Sequence, residues 1–300
     1  MAPPLYPSVG TVCLYPHSFR WCRTGRITAG VAQFGADTVN PGRGCTIPRM
    51  SVLATVSITV IIVILGSCLQ RISGMGFGLL VVPVLAILLG PADGVLVVNA
   101  LAAVNAALTT WTVRHYVDWR KVRLLAIPLL LGAFPGVFLI RAINAAPLQI
   151  IVGALLLIAL AVVLGGRRHI PHVSGNGSLF TAGVIGGFMN TLAGAAGPAI
   201  TVYAQAARWE HQMLAATLQP LFVISGGLSF ILKILLGASS VTAVPPVMWP
   251  VAFVGMLVGI FGGTMLSRFI PRETARRIAL TVAGLGGITA IIQGVTSLGS

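Results

Sequence analysis

Acidic side chains are almost missing from this chain. Five Asp and Glu stand among 300 residues against 19 Lys and Arg, and the charged residues together make up only 8%. A water-soluble core of this length needs far more polar surface to cover it, so a globular domain in water is excluded. Cysteine is scarce as well. Cys13, Cys22 and Cys45 lie at irregular spacing near the N-terminus and Cys68 sits in an apolar run, which gives neither a disulfide framework nor metal-ligand spacing. Several chemical motifs are absent. Without a GxxxxGK(S/T) phosphate loop the chain is no ATPase. Without HExxH, GxSG or paired membrane aspartates, an intramembrane enzyme would lack a nucleophile or a metal site. Nothing asks for a metal or another cofactor.

What is present is hydrophobic: 56% of residues, with a mean hydropathy of +0.97. From about Ser51 onward, apolar runs alternate with short charged loops, the pattern of an all-α polytopic membrane protein. The net charge of +14 sits in the loops between these runs, where it sets topology; nucleic acid is not the expected partner. Residues 1–49 differ in character, being rich in Pro, Gly and Arg with no run long enough to span. They are expected to be a disordered tail or an upstream extension from a misassigned start, with Met50 standing just before the first span.

The apolar runs are expected at about 51–70, 77–89, 94–113, 124–140, 148–164, 178–193 with a continuation to about 207, 212–236, 247–267 and 278–293. The 77–89 run is too short for a comfortable crossing. Turns are expected at Gly90 to Asp93 and at Arg208 to His211, and Lys233, near a helix end, is expected to snorkel to the interface.

The chain is organised around two glycine-rich breaks, Arg71 to Pro83 and Thr191 to Ile200. Gly and Pro stop one helix and let another begin, leaving backbone N–H groups without intrahelical partners. Within lipid such groups are tolerated only where protein or a water-filled cavity surrounds them. The two breaks share a register: Gly74 matches Gly194, Gly78 matches Pro198, Asn99 matches Gln219 and Asn105 matches Ser225, each 120 residues apart. Further on, Gly132, Gly136 and Arg141 match Gly259, Gly263 and Arg268, now 127 apart. This suggests internal duplication, with repeats at 50–170 and 171–300.

Charge then relates the halves. The basic loop 114–123 corresponds to the uncharged loop 237–246, and the sparse turn at Arg141 corresponds to the basic loop 268–277. Matching loops thus fall on opposite sides, giving two inverted-topology repeats, each a broken-helix hairpin plus about three transmembrane helices. The N-terminus then lies outside, where five tail arginines break the positive-inside rule; a start at Met50 removes the conflict.

Helix N-termini beginning near Gly76 and Pro198 point into the membrane, each with about half a positive charge and free donors. Together they make an anion site formed by Ser73, Gly74, Gly76, Gly78, Asn190, Gly194 and Gly197, with Thr191 as a further donor. The alternative role of the glycines is close helix packing, the better account of Gly186 and Gly187. Asn99, Asn105, Gln219 and Ser225, polar within spanning runs, either line a path or bridge helices. Asp93, Glu210 and His211 are candidates for carrying a coupling proton, although a solvated turn also accounts for Glu210 and His211.

At these residues the chain resembles the sulfite exporter TauE/SafE family. The resemblance rests on Ser73-Gly74-Met75-Gly76-Phe77-Gly78 with Val82-Pro83, the small- and Asn-rich span after it, the loop from His115 to Arg120, Gly132 with Gly136, and Gly194-Ala195-Ala196-Gly197-Pro198. It covers about residues 52–293. It departs at Met75 and Phe77, where a denser glycine run is usual, and at Ala195-Ala196. The resemblance implies secondary transport of small anions such as sulfite, sulfonates or other organosulfur compounds across the inner (cytoplasmic) membrane. The expected partners are a small anionic substrate, the lipid bilayer and, as an assembly, a homodimer. A non-transporting membrane scaffold or assembly factor is the alternative.

Overall fold

The computed structural model describes residues 52–74, 77–165 and 175–299. Residues 1–49, Met50, Met75, Gly76 and the basic cluster Arg167 to His169 lie outside the described residues. Ten α-helices follow one another among those described: α1 Val52–Ser73, α2 Phe77–Leu89, α3 Pro91–Val113, α4 Trp119–Ala142, α5 Ala145–Gly165, α6 Asn176–Ala193, α7 Gly197–Ala206, α8 His211–Leu235, α9 Met248–Leu266 and α10 Arg272–Leu298. Seven of these, α1, α3, α4, α5, α8, α9 and α10, are long and apolar enough to cross a membrane, so the chain is an all-α polytopic membrane protein.

Several helices begin earlier than hydropathy alone suggests, each for a local reason. The expected turn at Gly90 to Asp93 is the first turn of α3. Gly90 turns the chain at φ +90°, Pro91 enters the helix at its start, and Asp93 sits in the first turn where a carboxylate favours the helix dipole. The basic stretch 119–123 is likewise helical. Asp118 caps α4 by accepting from the Arg120 and Lys121 amides at 3.1 Å each. Its carboxyl is held below the usual carboxylate range chiefly by the Lys121 side chain, with the two amides adding to the effect. Lys121 also lies 4.8 Å from the Trp209 ring, and the Asp118 amide donates to Thr217 at 3.1 Å, so this corner ties α4 to the start of α8.

Packing is pairwise. α1 runs along α9, α6 along α4, α3 along α8 and α5 along α10. Glycine allows the closest approaches. A Cβ on Gly187 would overlap the Leu129 carbonyl of α4, and one on Gly263 would meet the Cys68 carbonyl of α1 at 2.8 Å. Helix ends can be assigned to faces from their contacts. Arg71, at the end of α1, donates to Thr112 near the end of α3 at 3.2 Å and to Thr264 near the end of α9 at 3.1 Å. Arg276, near the start of α10, donates to the Val163 carbonyl near the end of α5 at 2.8 Å. The opposite face carries the start of α3 and the end of α8, where the Ser239 hydroxyl donates to the Asp93 carboxylate at 2.5 Å.

Candidate functional site

α1 and α6 end alike. Gly74 (φ +78°) and Gly194 (φ +59°) turn into the left-handed region, and each amide donates back to residue i−4, Gln70 and Asn190, at 2.8 Å. A side chain disfavours that conformation, which is why glycine stands at both stops. The chain then restarts as α2 at Phe77 and as α7 at Gly197. Pro198 occupies the first turn of α7 and no side chain caps it, so its leading amides carry the local positive end of the helix.

The two breaks meet. A Cβ added to Gly78 would fall well inside van der Waals contact distance of the Gly194 carbonyl oxygen. Beside this contact lies a cavity of about 60 Å³, several times the space one ordered water needs. Its wall includes Ser73 and Gly78 from the first break and Asn190, Gly194 and Gly197 from the second. Five of the expected site residues are therefore brought together; Gly74 adjoins them at the end of α1, and Gly76 lies outside the described residues.

The matched register of amides resolves into cross-bracing. Asn99 on α3 accepts from Asn190 at 3.4 Å beside the second break, and Gln219 on α8 donates to the Gly74 carbonyl at 3.2 Å in the first. Each amide thus clasps the break of the other half. Neither lines the cavity, and neither do Asn105 and Ser225, which are 1% and 2% exposed. Asn105 Nδ2 and Ser225 Oγ have no hydrogen-bond partner among the described residues. Asp93, Glu210 and His211 lie outside the cavity wall. Glu210 and His211 are exposed at the turn before α8, while Asp93 is half-buried against Ser239.

Three participants were not singled out in the sequence. Gln70, 6% exposed, lines the cavity and stands 120 residues before Asn190, the same offset that relates the other pairs. Arg276 brings a cation to the cavity wall. Its Nη2 holds the Val163 carbonyl, its Nη1 lies 3.8 Å from Glu273, and its buried Nε is unpartnered among the described residues. Ser229, fully buried, bridges Asn190 (3.2 Å) and Thr191 (2.9 Å). Lys233 overturns an expectation: it does not snorkel to an interface but is wholly buried near the end of α8. Its backbone position near the helix end suggested an outlet, yet the chain turns back there, with the Ala238 and Ser239 amides both donating to its carbonyl.

Spanning helices that enclose a solute-sized cavity at two interruptions, with an arginine at its edge, have the build of a polytopic membrane transporter. Residues 58–290 match the family described as Sulfite exporter TauE/SafE, and the chain belongs to that family, one of transporters rather than enzymes. It is also similar to the "Probable sulfite/organosulfonate exporter TauE" of Cupriavidus necator, at 29% identity over 138 residues, which are 44% of this chain and 54% of the relative. The match thus spans about half the length of that curated relative. No solved structure matches the chain.

Proposed function

We propose that the protein is a secondary transporter of a small anion, moving it by alternating access around the two helix breaks, with sulfite or an organosulfonate as substrate. The observation that carries this is the meeting of the breaks at one cavity. The helix starts after them bring partial positive charge and amide donors, and Gln70 adds a polar group; Ser73 and Asn190 shape the wall, their donors being held by the Leu69 carbonyl and by Asn99 and Ser229. An oxyanion fits that chemistry, and the family description together with the named relative supports the sulfur-oxyanion class.

Helix pairing supports inverted repeats at 50–170 and 171–300. Exchanging α1 with α6, α3 with α8, α4 with α9 and α5 with α10 turns each main pairing into another observed one: α1–α9 becomes α6–α4, while α3–α8 and α5–α10 map onto themselves. Charge supports orientation. Arg114, Arg120, Lys121, Arg123, Arg208, Arg268, Arg276 and Arg277 share the face where α3 and α9 end and α4, α8 and α10 begin, whereas Arg141 is the lone arginine at the opposite ends among the described residues. By the positive-inside rule the basic face is cytoplasmic, in the inner membrane. The cavity, edged by Arg276 and Val163, then represents the inward-facing state, closed on the far side at Asp93 and Ser239. Asp93 is the stronger proton-coupling candidate because it is half-buried at that closure, whereas Glu210 and His211 are solvated.

Purified protein in proteoliposomes loaded with unlabelled sulfite should accumulate radiolabelled sulfite by counterflow. Failure across sulfite, sulfonates and other small anions would overturn the transport function and favour a scaffold.

A further inference from the structure

Lys233 has no role in the cavity, yet its ammonium is wholly buried and its Nζ has no hydrogen-bond partner among the described residues. Lysine is rare in this chain, which otherwise carries its positive charge on arginine; the full sequence holds Lys121 and Lys233 alone. Lys121 is explained by Asp118 and Trp209 at the surface. An ammonium inside a bundle with its three donors unmet is expensive to maintain and marks a function by default.

Its position gives that function a direction. Gln219, Phe222, Gly226, Ser229 and Lys233 recur at helical spacing and fall on one face of α8. Phe222 and Gly226 line the cavity. Ser229 bonds Asn190, itself a cavity residue. Lys233 stands one turn beyond Ser229, and roughly 10 Å beyond Gly226 at 1.5 Å per residue. It points the track away from the Arg276 edge and toward the face where Asp93 and Ser239 close the bundle. Ser239 links the two sites: its hydroxyl engages the Asp93 carboxylate, while its amide donates to the Lys233 carbonyl at 3.3 Å.

We propose that Lys233 is a second anion-binding post, which receives a small oxyanion after it passes the helix breaks and holds it until the Asp93–Ser239 closure opens. The inference rests on the transport function proposed above and extends it from the inner cavity to the outer half of the path. The ammonium donates to the oxyanion, and Asp93 is its counter-charge in the empty state. Arg276 at one end and Lys233 at the other give the anion a cation on either side of the uncharged, amide-lined breaks.

The test is sulfite counterflow in proteoliposomes, which requires no driving gradient. Lys233→Met should lower exchange at least about tenfold, and Lys233→Arg, which keeps the charge, should retain more. The double variant Lys233→Met with Asp93→Asn leaves no unpaired carboxylate to disturb folding, so recovered exchange in it would reduce Lys233 to a partner of Asp93. It should stay as low as Lys233→Met alone. Wild-type exchange in either methionine variant would overturn the inference, since Lys233 would then only balance Asp93. A direct readout covers the case in which the variants fail to fold. In wild-type protein labelled with 13C-lysine only two side chains report, and sulfite should shift the Lys233 signal saturably while leaving Lys121 in place. An unmoved Lys233 signal at sulfite concentrations that saturate exchange would overturn the post. Wild-type liposomes that pass no anion would instead sink the transport function itself, and this inference with it.

Discussion

Gly78→Ala puts the meeting of the two breaks to the sharpest test. The added methyl would overlap the Gly194 carbonyl oxygen, a backbone atom that cannot rotate aside as a side chain could. Either α2 or the end of α6 must give way. Inserting one methyl into a close-packed contact costs about 1–3 kcal/mol. If that strain falls on the arrangement that binds the anion, affinity drops roughly five- to 150-fold. The matched control is Gly227→Ala on α8, where a Cβ would meet nothing within 4 Å. It removes a helix-interior glycine without a clash and should stabilise α8 by up to about 1 kcal/mol. Sulfite binding to each variant in lipid nanodiscs, measured by calorimetry, together with counterflow in liposomes, gives both numbers. Folded Gly78→Ala protein with wild-type affinity and flux would show that the break contact is irrelevant to binding. Equal losses in Gly78→Ala and Gly227→Ala would show that helix glycines are merely sensitive everywhere.

Arg276→Gln removes the cation from the cavity wall; because the side chain is 40% exposed and therefore screened, sulfite affinity should fall by only about 1 kcal/mol, roughly fivefold, with a shallower salt dependence, and an unchanged affinity would remove Arg276 from the site. Asp118→Ala deletes the α4 cap and should cost about 1 kcal/mol in a thermal unfolding series. That stabilisation also has a pH signature. The Asp118 carboxyl is held low in the folded protein, so its contribution is complete above the ordinary carboxylate range and is lost as pH falls through the depressed folded value. Wild type and Asp118→Ala should therefore converge in strong acid, and a gap independent of pH would mean that the charge contributes nothing. Replacing Lys233 by Met should cut exchange while Arg spares it.

Much of the architecture was legible because in lipid a helix must satisfy its own backbone, so long apolar runs have one available structure. The short run 77–89 is α2 to the residue, since glycine before it and Gly90 after it leave no other boundary. Where the sequence misled, the reason was polarity at a helix start. Trp119 to Arg123 and Arg272 to Arg277 read as loops because they are basic, yet Asp118 and Pro271 start helices there. Arg276 read only as a topology-setting charge, and the extra turns of α10 also carry it to the cavity edge. Asn99 and Gln219 were visible as a matched pair, but not their crosswise grip on the opposite breaks, because hydrogen-bond partners more than ninety residues apart leave no local signal.

By itself, then, the amino-acid order determined the membrane class, the position of both breaks and the internal match at 120 residues, all of which follow from local hydropathy and from the special backbone freedom of glycine and proline. Only the tertiary structure decided that the breaks touch, that Gln70 and Arg276 share their cavity, and that Lys233 is sealed inside rather than reaching for water. Proximity and burial arise from how distant helices pack, and a lysine four carbons long has the same letter whether its amine ends in solvent or inside the bundle.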